Sequence, residues 1–588
     1  MVARLPMLLL LVCCAPASLC RAQSDPAPSA ATRRIALDSV AHNPRAMFQT
    51  VAARLATGVD TGLAWRQLDT LLNAPTGDMF WTYPATCFWV FCRDHLDSAY
   101  RRRFRQILRL YTPYRGDTEN HFLMHYTYLL IFSEEWPELR EDEWFNGRSS
   151  AENHAEAREY LLHWIDETAR YGLTEWDSPR YLYFYVGPLL ALADGSRDTA
   201  VSRRAAMLLE LLLAEYAVEY LNGAYCGAHS RDGDGSVIDP RRAEATAMGR
   251  FYFEDRVDPP LPDLAFCSLS RFACPGIVRR IAGDRWKHWN LFKIRRTRAR
   301  MRGHTERYGT VMKQTWMARD IALGSVEADG IAQPIQQHTW GITFGVDRPN
   351  ATIFSVHPDA SEQELATYFP EEPELMESGI LGSKASYGNE NRWIGGSRYE
   401  WVRQDENRLV ATYSIPATAR WHHVDLFIPR SLDTLVRDAS GWIFCRMGEG
   451  MVAIYPFDTS VVWMEEVRNW RVRLGSAETG LLVLCENEDG RHPFAEFCRR
   501  VRQRYRSSKS PLRPDRSARD SQRATFPPSY RRHLGYTTYC RWGDYSQLPL
   551  FVDAEHGTAR IFFDERVRTL DFVRGTVEEN IDDQPLPR

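Results

Sequence analysis

The chain has 588 residues, with 73 Lys and Arg against 76 Asp and Glu, a formal net charge of -3. It therefore carries no general electrostatic footprint for nucleic acid or an anionic membrane surface. Its 18 Trp and 12% aromatic residues suit a surface that stacks on sugar rings, although a large core uses the same residues.

Twelve cysteines less Cys13, Cys14 and Cys20 leave nine. These are scattered through the chain, unlike a small disulfide framework, and Cys87/Cys92 and Cys267/Cys274 lack metal-finger spacing. Residues 1–22 read as a signal peptide. Arg4 forms the basic start, Leu8 to Val12 the apolar stretch and Cys20-Arg21-Ala22 the cleavage region, which predicts export to the periplasm or medium. Residues 23–33 read as a flexible tether. The most apolar later segment, Leu208 to Ala217, contains Glu210 and Glu215 and fits an amphipathic helix, so no integral membrane segment is expected after signal cleavage.

From Ile35 to about Tyr220 apolar residues recur at helical spacing. Predicted helices are Asp97–Thr112, His121–Glu135, Asn153–Tyr171, Pro179–Ala193 and Ser196–Asn222, with stops at Pro113, Gly116, Pro137, Gly172 and Gly223. The runs Phe80–Phe91, His121–Phe132 and Tyr181–Val186 are apolar nearly all round, as inner-ring helices would be, whereas 97–112 and 153–171 carry charged faces. Between Val237 and Arg307 the pattern breaks up, with a basic segment from Lys293 to Arg302, and the stretch reads as the last helices plus the interdomain connection.

From Tyr308 the period becomes two. Tyr308–Met312, Ile342–Val346, Thr352–Val356, Leu409–Tyr413, Val424–Ile428 and Met451–Tyr455 are strand-like. Phe494–Tyr505 reads as one returning helix. The predicted fold is α then β and multidomain: an N-terminal (α/α) toroid over 34–300, then an antiparallel β-sandwich over 301–505. A Ser/Arg/Pro-rich linker at 506–526 and a small strand-rich segment at 527–588, including Ala559–Phe563, complete the chain.

Three places hold residues suited to chemistry. Glu119-Asn120-His121 opens a helix, where backbone N–H groups favour an anion; alternatively Asn120 merely caps the helix and His121 packs. His125 shares a face with His121, but no glutamate lies between them as in a metalloprotease. In the loop from Gly172 to Tyr181, Ser178-Pro179 predicts a helix start, with Glu175, Trp176 and Asp177 just outside it. Tyr181 and Tyr185 share one helix face, as proton-transfer groups or as core aromatics. After the next helix, Tyr225, His229 and Arg231 lie in an irregular loop, where functional groups concentrate. Asp232, Asp234 and Asp239 resemble part of a calcium loop but lack its register and terminal glutamate. His338, His357, His422 and His423 have no diagnostic metal spacing, so a structural metal ion is conceivable but unsupported.

An Asn-His at an inner helix start, a later tyrosine helix, a downstream His/Arg loop and a β region from Tyr308 together resemble the toroid polysaccharide lyases. The nearest groups are the heparinase II/III-like, alginate and chondroitin AC-type lyases. The resemblance implies β-elimination on a uronate-containing polysaccharide or oligosaccharide, with no required cofactor. Asn120 and His121 would neutralise the uronate carboxylate, Tyr181 would be the catalytic tyrosine, and His229 with Arg231 the downstream base and carboxylate partner. Trp81, Tyr83, Trp176 and Tyr225 would be stacking platforms, with His125 and Tyr185 completing the binding set. One departure stands out: Glu175-Trp176-Asp177 replaces the small, glycine-rich residues often found before the family's tyrosine. Glu175 and Asp177 could instead be the acid and base of a toroid glycoside hydrolase. A third reading is a non-catalytic glycan-binding protein.

Overall fold

The computed structural model describes residues 27–76, 79–111, 118–284, 289–296, 310–328, 337–359, 390–458, 461–488, 492–505, 539–542 and 549–581. The expected signal peptide and the linker at 506–526 lie outside the described residues. The expected tether reaches into them, and its end is helical from Ala30.

The first half is helical: α1 (Ala30–Ala41), α2 (Phe48–Thr57), α3 (Thr61–Asn73), α4 (Met79–Cys92), α5 (Ser98–Leu110), α6 (Glu119–Glu135), α7 (Ser150–Tyr171), α8 (Leu182–Gly195), α9 (Thr199–Ala217), α10 (Asp234–Ile238), α11 (Glu244–Phe253), α12 (Leu264–Leu269) and α13 (Gly276–Gly283). Local chemistry sets the starts. Asp97 accepts from the amides of Ala99 and Tyr100, Asp198 does the same for Ala200 and Val201, and Ser149 with Glu152 forms a capping box.

Most residues of α4, α6 and α8 are buried, and these three helices pack on one another. In contrast, α5 buries only Phe104 and Leu108. The beginning of the helical half is pinned to its end. Ala27 pairs with Cys274 through two backbone hydrogen bonds, and Arg33 donates to the carbonyls of Cys267, Ser268, Ser270 and Phe272.

A short hairpin, β1 (Tyr220–Leu221) with β2 (Ala224–Tyr225), follows α9. The strands of the second half are β3 (Trp289–Arg296), β4 (Thr310–Met317), β5 (Ile321–Ala328), β6 (Trp340–Phe344), β7 (Thr352–Val356), β8 (Glu400–Asp405), β9 (Arg408–Ser414), β10 (Val424–Pro429), β11 (Thr434–Arg437), β12 (Ile443–Met447), β13 (Gly450–Pro456), β14 (Val461–Glu465), β15 (Asn469–Leu474), β16 (Glu478–Asn487) and β17 (Tyr539–Trp542). They form an antiparallel nine-stranded sheet, ordered β14-β15-β10-β7-β6-β5-β4-β3-β17, and a six-stranded one, β11-β12-β13-β16-β9-β8. Alternate residues of the two sheets enclose a shared core that includes Trp316, Leu323, Ile342, Ala411, Val452 and Val483. The returning helix α14 (Phe494–Arg504) covers the outside of the six-stranded sheet.

The other face of β3 to β5 lies against the helices. Along β4, Val311, Lys313 and Thr315 face the helical half while Trp316 enters the shared core. This corrects the sequence reading of the Lys293 region. Lys293 and Arg295 lie in β3, buried in ion pairs, because strand period two points them at acids on the helices. A final four-stranded sheet, β18 (Leu550–Asp553), β19 (Thr558–Phe563), β20 (Arg566–Asp571) and β21 (Thr576–Ile581), packs back on the helical half.

Candidate active site

Two loops meet where the helices face the sheet: 172–181, between α7 and α8, and 222–233, after α9. Glu119 fixes the first. Buried at the start of α6, its carboxylate accepts from the Thr174 amide at 2.7 Å, the Thr174 hydroxyl at 2.8 Å, the Glu175 amide at 3.2 Å and the Trp164 indole at 3.1 Å. Ser230 joins the loops: its amide and hydroxyl both donate to the Trp176 carbonyl, at 3.1 and 2.9 Å.

Glu175 is the centre of the arrangement and is fully buried. Its Oε2 accepts from Asn120 Nδ2 at 2.5 Å and from the Tyr185 hydroxyl at 2.5 Å. Its Oε1 is ion-paired with Arg231 Nε at 3.0 Å. Arg231 also donates from Nη2 to the Tyr181 hydroxyl oxygen at 3.2 Å, with its guanidinium carbon 4.7 Å from the ring centroid. A polar chain thus runs from Asn120 through Glu175 and Arg231 to Tyr181, which is half-buried at the rim. Arg231 holds φ +50, a region uncommon for residues other than Gly, Asn or Asp; such strain persists only where surrounding contacts fix it.

The starts of α4, α6 and α8 contribute the rim. Phe80, the second residue of α4, is 47% exposed on a helix otherwise largely buried. Its ring meets His121 edge-on at 5.3 Å and Phe184 at 5.2 Å, and Phe184 meets Tyr181 at 5.5 Å. Among the described residues Phe80 is the one aromatic side chain in the set of exposed large hydrophobics.

The structure distributes the sequence-predicted residues unevenly. It links Asn120, Glu175, Arg231 and Tyr181 by direct contacts, and places His121 on the same rim. Asn120, however, is fully buried with its amide committed to Glu175, so it does not face a ligand. Tyr185 is buried, and burial followed by the Glu175 and Glu119 carboxylates holds its hydroxyl well above the usual tyrosine range. It is a donor to Glu175 and not a rim contact.

His229 is buried, with Nδ1 2.8 Å from the Asp177 carbonyl and Nε2 3.0 Å from the Tyr225 carbonyl. Burial, then Lys313, holds it well below the usual histidine range. Those backbone contacts make it a brace between the loops.

The expected stacking platforms have no open ring face. Trp176 is fully buried with Ala228, Val311 and Val326. Trp81 packs on Phe48 and Tyr111, and Tyr83 donates to Asp263 at 2.6 Å. Tyr225 donates to Asp177 at 3.0 Å. His125 is buried edge-on to Tyr126. The helical phase of α4 turns Phe80 outward in place of Trp81 and Tyr83; its exposure left no trace in an all-apolar run.

Asp177 lies among Lys313, Arg295 and Lys293, at 2.8, 3.2 and 3.5 Å. Burial raises its carboxyl pKa, but the three cations outweigh burial and leave it well below the usual carboxylate range. Glu175, Asp177, Tyr185, Glu215 and Tyr225 also line a small cavity of about 10 Å³, which is room for one water and not for a sugar.

Among the described residues no group of three His, Cys, Asp or Glu is arranged to hold a metal ion. His357 bonds Ser397 and the Trp421 carbonyl, His423 lies 3.7 Å from Asp425, and His338 lies 3.9 Å from Asp232. The Asp232 carboxylate accepts from the Gly233 amide and the Ser236 hydroxyl, closing a local turn.

The chain matches no protein-family model, no curated protein and no solved structure.

Proposed function

We propose that the protein is an exported polysaccharide lyase that cleaves a uronate-containing glycan by β-elimination, on a closed (α/α) toroid followed by a β-sandwich. The observation that carries this reading is the chain from buried Asn120 and Glu175 through Arg231 to the rim hydroxyl of Tyr181. The Tyr181 oxygen accepts from Arg231. Glu175 balances the guanidinium, and Asn120 and Tyr185 hold Glu175 in place.

In the reaction, a base takes the proton on C5 of the uronate and the electron pair forms the C4–C5 double bond. The C4–O bond breaks, and an acid protonates the leaving oxygen. In this reading Tyr181 carries these proton transfers, as base and then as acid, and His121, at the N-terminal end of α6, faces the uronate carboxylate. The hydrolase alternative requires Asp177 and Glu175 to exchange protons, and the three cations around Asp177 weigh against it.

The test is incubation with a panel of polyuronates, followed in the ultraviolet band of the unsaturated product. Tyr181→Phe is expected to lower kcat by about 10²–10⁴-fold. Products without that absorbance would favour hydrolysis. Binding without any product would favour a glycan-binding role.

A further inference from the structure

We infer that the nine-stranded sheet is a working part of this centre, with Lys313 as a positioning residue that holds the loops carrying Glu175, Tyr181 and Arg231. The placement of Lys313 stands on geometry alone; its effect on turnover rests on the lyase reading.

Six charged side chains meet between the helices and the sheet, each at most 5% exposed. The three acids, Asp177, Glu215 and Glu219, come from the helical half; the three cations, Lys293, Arg295 and Lys313, come from β3 and β4. Lys313 Nζ lies 2.8 Å from Asp177 Oδ2 and 3.0 Å from Glu219 Oε1, so it ties the first loop to the end of α9. Arg295 bridges Asp177 and Glu215, at 3.2 Å each. Lys293 pairs with Glu219, and the Thr315 hydroxyl donates to Glu219 at 2.5 Å. Asp177 follows Glu175 by two residues and precedes Tyr181 by four, so these cations act on the backbone that carries both.

The second loop is seated on the same strands. A Cβ on Gly227, at φ +99, would lie 2.7 Å from the Thr315 hydroxyl and 3.0 Å from Lys313 Cε. A Cβ on Gly324 of β5 would lie 2.3 Å from Gly227 Cα. His229 and His338 exchange backbone hydrogen bonds of 3.1 and 2.9 Å. The sheet thus touches both loops, and Arg231 lies only two residues beyond His229.

Burying six charges is a poor way to gain stability, since apolar side chains of similar volume often do as well or better. Hydrogen-bonded charges differ in fixing direction and distance. A misplacement of about 1 Å in a reacting group can cost about 100-fold in rate, so a rigid seat for these loops has a function that stability alone does not supply.

The experiment uses Lys313→Met in the full chain, read by hydrogen–deuterium exchange and by kinetics on polyuronates. Exchange is expected to quicken about tenfold or more in 172–181 and 223–233, while α4 and α6 keep wild-type protection. The kcat should fall about 100-fold with KM within about twofold, and Lys313→Met combined with Asp177→Asn should recover part of the loss. Should Lys313→Met not fold, Thr315→Val, which removes one donor to Glu219, is expected to loosen the same two loops to a smaller degree. Unchanged loop exchange overturns the inference, and so does loosening spread evenly over the molecule. If the wild-type protein eliminates nothing from any polyuronate, the lyase reading fails, and the exchange pattern still decides the role of Lys313.

Discussion

At the candidate site the phase of one helix decides which aromatic ring is exposed. In α4, Trp81 and Tyr83 turn into the core and Phe80 turns out. Its contacts with His121 and Phe184 connect the ring through Phe184 to Tyr181, so it adds exposed apolar surface to the candidate site. Aromatic contacts of this kind contribute about 0.5–1.5 kcal/mol beyond area burial. Phe80→Ala is therefore expected to raise the KM for a polyuronate by about threefold to tenfold with little change in kcat, whereas Phe80→Trp should keep KM near wild type. Equal falls in kcat for both variants, at constant KM, would show that the ring serves the reacting groups and not ground-state binding.

Between elements, the sequence is most legible where periodicity acts alone. The predicted helix 121–135 begins two residues early, at Glu119, and the predicted strand 352–356 matches β7. Reading failed where tertiary contacts override composition. Lys293 and Arg295 look like residues of an interdomain connection until the fold brings Asp177, Glu215 and Glu219 of the helical half to them. Likewise, nothing in a run of aromatics tells Phe80 from Trp81, because α4 has no charged side chain to mark an outer face. Of the site itself, Glu175 and Tyr181 were legible from their place at a helix mouth. Glu119 was not, because its partners lie 45 to 56 residues on, at Trp164, Thr174 and Glu175.

The two large sheets carry a further device of this kind. Trp340 of β6 donates to Ser355 of β7 at 2.9 Å, and Ser355 bonds Tyr413 of β9 at 2.7 Å. Tyr413 donates to Glu400 of β8 at 2.6 Å. Burial pushes the Glu400 carboxyl up to about 7, against the bonds from Tyr413 and Thr339 that pull it down. The folded form then holds its proton more tightly than the unfolded form. Stability from this group is complete below the ordinary carboxylate pKa and is lost as pH rises through about 7. The loss is about 3 kcal/mol at most, and smaller because the side chain keeps partial access to solvent. Glu400→Gln should flatten the Tm between about pH 5 and pH 8 relative to wild type; an unchanged slope would place the titration elsewhere.

On the scale of the whole molecule, both described ends of the chain return to the helical half: Ala27 pairs with Cys274, and β18–β21 add Leu550, Val552, Ile561 and Leu570 to the helical core. Arg204 of α9 donates to the carbonyls of Phe572 and Val573, and Arg170 of α7 to that of Ala554. The last sheet is therefore part of the helical core's packing, although the two large sheets intervene in sequence. A deeply placed ion pair joins Arg568 to Glu210, whose side chain is 6% exposed. Burial raises the Glu210 carboxyl, and Arg568 offsets part of that rise. Removing Arg568 strands a buried carboxylate, which costs about 3–5 kcal/mol in a fully buried setting and less here, where Arg568 is 22% exposed. Without its cation the carboxyl moves higher still and takes up a proton as pH falls, which relieves the penalty. Arg568→Ala should thus lower the urea midpoint more at pH about 8 than at pH about 5, and adding Glu210→Met should remove the difference between the two conditions. A loss of equal size at both pH values would mean that Arg568 stabilises the docked sheet through its aliphatic stem alone.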